Sequence, residues 1–167
     1  MIYKTHIVFR KETLIKLLNT IIMHENEFIQ AVYDDFRKPA FEAVLTETNN
    51  VILELKDTIK SINRWARPKR VPPSLLNFPS TNYIYKVPYG KVLVIAPWNY
   101  PFRFGLCYLI WAIAAGNQVV LKPSELTPNT SATNTTYSFG GSCINDAVMY
   151  SSNKRLPFCG AGHSWNC

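Results

Sequence analysis

The sequence predicts an α/β chain, with N-terminal helices followed by an incomplete parallel sheet built around one helical crossover. Three observations carry that expectation. Apolar residues recur at three- and four-residue spacing between Lys11 and Trp65, the mark of amphipathic helices. Two short, branched, almost uniformly apolar runs follow, Lys91 to Ala96 and Gln118 to Lys122. Between them Phe102 to Ala115 reads as an apolar helix, and strand, helix and strand at this separation form a right-handed crossover.

Size and composition suit one ordinary core: 167 residues, 47% of them apolar. The net charge of +7 is moderate and spread along the chain. Its densest cluster, Arg64, Arg67, Lys69 and Arg70, is broken by Trp65, Ala66 and Pro68, which fits a helix end running into a linker. No recognition module accompanies it, so no nucleic-acid partner is expected. Four cysteines without CxxC spacing, and an N-terminus lacking a long apolar core, predict free thiols in a reducing, cytoplasmic setting. They suggest no metal site. The longest apolar run, Gly105 to Ala115, is too short to cross a bilayer, so no transmembrane anchor is expected.

The elements follow in order. Leu14, Leu17, Leu18, Ile21, Phe28, Val32 and Phe36 mark one helical face, with a break near His24-Glu25-Asn26. Pro39 opens a second helix whose stripe is Leu45, Val51, Ile52, Leu55, Ile59, Ile62 and Trp65, and Pro68 closes it. Pro72-Pro73 begins an extended connector through Pro79. Asn82 to Lys86 alternates, and Pro88-Tyr89-Gly90 turns it into Lys91 to Ala96, which predicts a strand pair. The runs at 91–96 and 118–122 are read as strands buried on both faces, the crossover helix covering one and the N-terminal helices the other. Gly116 suits the left-handed position after a helix. Thr127 as N-cap and Pro128 at the first position announce a last helix, poorly supported from Ala132 to Thr136.

Ligands of such sheets sit beyond the carboxyl ends of the strands, where Asn99 and the Lys122 to Glu125 segment fall. On spacing alone, simpler readings are open. Asn99 then serves a turn, Lys122 is a solvated strand end, and Glu125 is a first-turn carboxylate.

The wording of the residues says more. Pro97-Trp98-Asn99-Tyr100-Pro101, then Ala114-Ala115-Gly116-Asn117 and Leu121-Lys122-Pro123-Ser124-Glu125, resembles the NAD(P)-dependent aldehyde dehydrogenase superfamily. Phe41-Glu42-Ala43 and Arg67-Pro68-Lys69-Arg70-Val71-Pro72 look most like its class 3 and fatty aldehyde dehydrogenase branch. The resemblance runs from about Arg10 to Ser131. It implies N-terminal helices plus an incomplete Rossmann-like parallel sheet of the aldehyde dehydrogenase fold. It also implies a chemistry: a cysteine thiolate attacks an aldehyde, hydride passes to a nicotinamide, and a glutamate activates the hydrolytic water. In that scheme Asn99 donates to the oxyanion, a contact of a kind worth about a hundredfold or more in rate. Lys122 and Glu125 would hold the adenosine ribose of NAD or NADP, and Lys122 tolerates a 2′-phosphate, so the choice stays open. Trp98 would line the cofactor channel, and Tyr100 would edge the substrate passage.

After Ser131 the resemblance changes. Residues 1–131 match the N-terminal part of the cofactor-binding domain, with an association-type strand at 82–90; residues 132–137 are a junction. Residues 138–167 are similar to a C-terminal family segment, through Ser138-Phe139-Gly140-Gly141-Ser142-Cys143 and Leu156-Pro157-Phe158-Cys159-Gly160. The central portion, with the pyrophosphate-binding turn, the Glu-Leu-Gly-Gly base motif and the Gly-Gln-x-Cys nucleophile motif, is absent between them. None of Cys107, Cys143, Cys159 and Cys167 fits the nucleophile position; a Cys159–His163 pair rests on sequence proximity alone. The expectation is an inactive chain of marginal stability. The alternative is a non-catalytic dimerising or interaction fragment, forming a homo-oligomer or pairing with a full-length relative.

Overall fold

A computed structural model describes residues 2–139 and 147–149. The N-terminal periodicity becomes α1 (Ile2–Met23) and α2 (Glu25–Phe36), broken at His24 as the sequence suggested. Arg37 ends α2 in a left-handed conformation, φ 56°, its N–H bonding back to the Tyr33 carbonyl. After Pro39 come α3 (Ala40–Ala43), a π-type turn (Val44–Thr48) and α4 (Asn49–Trp65), which follow one another without leaving helical geometry. The second helix therefore exists, with a wide turn inside it that apolar spacing does not disclose. Val51, Leu55 and Ile62 of its expected stripe are buried, whereas Leu45 and Trp65 are exposed.

The first correction concerns strand pairing. β1 (Lys69–Val71) pairs antiparallel with β2 (Asn82–Ile84), setting Arg70 opposite Tyr83. The segment at 82–86 does not pair with β3 (Lys91–Ile95). The reason lies at Gly90, whose backbone is committed elsewhere. Its carbonyl accepts the Gln118 N–H at 2.7 Å and its N–H donates to the Asn117 side chain at 3.1 Å. The chain entering β3 is thus tied to the entrance of β4 (Gln118–Lys122). β3 and β4 run parallel, Lys91 opposite Gln118 through Ile95 opposite Lys122. β5 (Ala147–Met149) lies parallel on the far side of β4, giving the order β3-β4-β5. It falls inside the 138–167 stretch that resembles a C-terminal family segment.

The second correction concerns burial. Helix α5 (Pro101–Ala115) crosses from β3 to β4 and covers one face, that of Val94, Val119 and Leu121. Its own Phe102, Leu106, Leu109 and Ile110 are fully buried. The N-terminal helices do not cover the other face. α1 and α4 pack on α5, on the same side, through Leu14, Leu17, Leu55 and Ile62. The opposite face of β3 is bare, with Leu93 58% and Ile95 65% exposed. Uniformly apolar strands looked two-sided, but the helices stack in successive layers on one side.

Gly116 adopts φ 91° just past α5, as expected, and Arg10 of α1 closes that end. The guanidinium donates to the Ala114 carbonyl at 3.4 Å, a cation placed where helix carbonyls converge.

The third correction concerns the last helix. Ala132 to Thr136 are helical: α6 (Pro128–Asn134) continues into a π-type turn (Thr135–Phe139). Thr127 holds the N-cap position without capping, and its hydroxyl donates to the Ser124 carbonyl. The cap comes from Asp35 of α2, whose carboxylate accepts the N–H groups of Asn129 at 3.1 Å and Thr130 at 2.8 Å. Tyr137 then stacks on His24 at 4.1 Å and meets the Phe28 edge. Tertiary contacts outweigh the weak propensity of Thr and Asn. The terminal motifs containing Cys143, Cys159, His163 and Cys167 lie outside the described residues.

Replacing a capping carboxylate by alanine costs about 0.5–2 kcal/mol. Asp35→Ala should therefore lower the unfolding free energy measured in urea by that order, with a lower midpoint, and speed amide exchange in α6 before any other helix. An unchanged midpoint with unchanged protection in α6 would show that the cap contributes nothing.

Candidate functional site

The parallel pair β3-β4 delivers its two loops to one edge, where Ala96 N–H still bonds the Lys122 carbonyl at 2.9 Å. Residues 97–100 turn there from strand into helix. Trp98 is 55% exposed and Asn99 is exposed, with Tyr100 at the head of α5 in a left-handed conformation, φ 51°. That conformation costs a residue with a Cβ about 1–2 kcal/mol, so contacts must hold it. The Tyr100 carbonyl accepts the Phe104 N–H at 3.0 Å. Its ring lies 4.5 Å below the ammonium of Lys38 and meets Phe104 edge-on.

Beneath the loop sits Glu47, a carboxylate with no exposed surface. One oxygen accepts from Lys38 Nζ at 2.7 Å, the other from the Phe102 N–H at 3.0 Å. A buried carboxylate is tolerable only when paired and hydrogen-bonded, and a helix N-terminus favours negative charge. A cleft of about 390 Å³ beside the loop is lined by residues 36–39, Glu42 and residues 98–100.

Lys122 and Glu125 form a separate arrangement at the end of β4. The ammonium donates to the Glu125 carboxylate, and this hydrogen bond holds that carboxyl below its usual range. The fold thus gathers Trp98, Asn99 and Tyr100 into one cleft and keeps Lys122 with Glu125 on the neighbouring strand end.

A dinucleotide needs more than ribose contacts. Pyrophosphates sit on free backbone N–H groups at helix N-termini. The two helices that begin at this edge are closed by the chain's own carboxylates, α5 by Glu47 and α6 by Asp35. Lys122 and Glu125 stay at the surface, their side chains 35% and 53% exposed, and pair with each other. The residues present do not suit the phosphates at either of those two helix starts.

Cys107 lies inside α5 and is buried, as a small core residue. Burial first, and the nearby Glu54 carboxylate second, push its thiol up to about 11, against the weaker pull of Arg103. It is protonated at neutral pH and has no thiolate to offer. Among the described residues no group of three His, Cys, Asp or Glu could hold a metal ion, and no helix is long and apolar enough to cross a membrane.

Lys38, Glu47 and Asp35 escaped the reading of the sequence. One signal was available: Glu47 falls four residues before Val51 and eight before Leu55, a carboxylate on a buried apolar stripe.

Comparison with known proteins gives the context. The family model described as "Aldehyde dehydrogenase family" matches residues 2–137, through the expected junction. The 4,4'-diaponeurosporen-aldehyde dehydrogenase of Staphylococcus aureus is 46% identical over 123 residues, 74% of this chain and 27% of that protein. Aldehyde dehydrogenase family 3 member H1 of Arabidopsis thaliana is 41% identical over 74% of this chain and 26% of its own length. A fatty aldehyde dehydrogenase of Saccharomyces cerevisiae is 39% identical over 76% and 24%. The solved substrate-bound state of Staphylococcus aureus AldH superposes with a TM-score of 0.79 at 39% identity, covering 86% of this chain and 31% of that one. The chain spans about a quarter of the length of these curated relatives.

The Cys107 assignment has a pH signature. A thiol whose folded pKa stands above its ordinary 9.0 favours the folded state below that value, and this contribution is lost as pH rises towards about 11. Urea midpoints should fall over that interval, and Cys107→Ala should shallow the fall. Peptide-resolved labelling at pH 7.5 should modify Cys107 only after denaturant is added; prompt labelling of the native chain would contradict its burial.

Proposed function

The chain belongs to the aldehyde dehydrogenase family, and from that premise we propose that it keeps two corners of the family's site without performing the reaction alone. The observation that carries this reading is the Asn99 loop, folded at the strand edge and anchored from beneath by Glu47. In this reading Asn99 is the oxyanion donor, with Trp98 lining the cofactor channel and Tyr100 edging the substrate passage. Lys122 and Glu125 are the ribose contacts for NAD or NADP. The nucleophile and the general base are absent from the 167 residues, since Cys107 is a core thiol and the family's motifs for both do not occur. Residues 132–137 join the matched N-terminal part to a segment at 138–167 that resembles the family's far end.

The substrate class belongs to the same proposal. An apolar aldehyde, medium or long aliphatic or aromatic, suits the outward face of α5. There the rings of Tyr100, Phe104, Tyr108 and Trp111 follow one another at 6.1, 6.1 and 5.4 Å. Cofactor binding by this chain is weak, because the two helix starts at the edge are closed. A cytoplasmic location is proposed from the cysteine pattern of the sequence, which has no CxxC spacing.

A second reading is favoured by a specific observation. The uncovered Leu93 and Ile95 give the chain an apolar sheet face, and such faces mark association surfaces. A fragment of this kind forms a homo-oligomer or pairs with a full-length relative.

Purified chain should form no NADH or NADPH above the blank with aliphatic or aromatic aldehydes, followed at 340 nm. A robust rate that disappears in Asn99→Ala and in one Cys→Ala variant would overturn the inactive reading. Calorimetry should give no micromolar dissociation constant for NAD. For the second reading, co-expression with a full-length relative should give one shared peak on size exclusion; separate elution would remove it.

A further inference from the structure

We propose that Glu47 and Lys38 are positioning residues that fix the loop carrying Asn99, an inference resting on the assignment of Asn99 as the oxyanion donor. An oxyanion donor is useful only if its amide is already in place when charge develops. Asn99 itself is exposed and lines an open cleft. What fixes it lies on either side and beneath.

Four observations converge on the pair. Glu47 is completely buried, yet both its oxygens are engaged, one by Lys38 and the other by the backbone of Phe102, three residues past Asn99. Lys38 spends its charge twice, on Glu47 at 2.7 Å and on the Tyr100 ring at 4.5 Å, and its side chain is only 12% exposed. Tyr100, the residue after Asn99, is held in a left-handed backbone conformation. Glu47 itself stands in the π-type turn between α3 and α4, a local widening of the kind often kept at functional sites. The turn brings the carboxylate under the head of α5, across 55 residues of sequence. A core that needed only packing would place an apolar side chain there, since a buried ion pair is weak evidence for stability. The pair instead acts as a clamp. Glu47 holds the helix side of the loop through Phe102, and Lys38 holds the Tyr100 side, so that Asn99 is presented between two fixed points.

The test uses the whole isotopically labelled chain and two reporters, the side-chain amide resonance of Asn99 and hydrogen exchange of the Phe102 amide. Glu47→Gln should speed Phe102 exchange by about tenfold and move the Asn99 resonance, while the Val94 and Leu121 amides keep their rates. Lys38→Met should move the Asn99 resonance as well, and Lys38→Arg, which retains the charge, should return it towards wild type. If Glu47→Gln does not fold, the Lys38 series decides alone. A lower melting temperature with both reporters unmoved would make the pair purely structural and overturn the proposal; equal shifts in Lys38→Met and Lys38→Arg would do the same. Neither reporter depends on turnover. The aldehyde assay therefore decides the functional reading separately from this one.

Discussion

Helix α5 has to be buried on two sides and satisfied at both ends, and most of the structure follows from how that is done. One side rests on the sheet and the other receives α1 and α4, with Phe102, Leu106, Leu109 and Ile110 fully buried along the helix. Its ends are closed from the same N-terminal layer. Glu47 accepts the Phe102 N–H at the start, and Arg10 donates to the Ala114 carbonyl at the finish. Each charge sits where the helix dipole favours it. The N-terminal helices are therefore more than a lid. They fix α5 along its axis, and with it the loop that turns from β3 into α5.

The same arrangement decides what the strand edge can bind. A parallel sheet presents helix starts at the carboxyl ends of its strands, the usual seat of phosphates. Here both starts are filled from within the chain, by Glu47 and by Asp35. What remains open is the polar fringe: the Asn99 amide in its cleft and the Lys122–Glu125 pair. The edge thus offers hydrogen bonds to neutral or singly charged groups more readily than to a pyrophosphate.

How far this was legible in the sequence depended on the range of the deciding interaction. The crossover, the break at His24 and the turn at Gly116 were read correctly, because each is set by residues within a few positions. The pairing of β2 failed because Gly90 is committed to Gln118 and Asn117, far along the chain. The two-sided burial of β3 failed because apolar content does not say on which side helices will stack. In the proposed site, Asn99, Lys122 and Glu125 are named by their motifs alone. Lys38, Glu47 and Asp35 were missed because each acts on a partner remote in sequence or hidden beneath the loop. The helicity of Ala132 to Asn134 belongs with them, since Asp35, not Thr127, supplies its cap.

The bare face of the sheet and the incomplete site meet at one place. In a parallel sheet, residues opposite one another in register share a face. Ile95 stands opposite Lys122, and Leu93 opposite Val120, so the exposed apolar face of β3 continues into the face that carries the proposed ribose contact. A layer that hid Leu93 and Ile95 would necessarily stand beside Lys122. Whatever covers this face therefore reaches the strand edge as well. On the proposed reading, cover for Leu93 and Ile95 would therefore also flank the ribose contact assigned to Lys122.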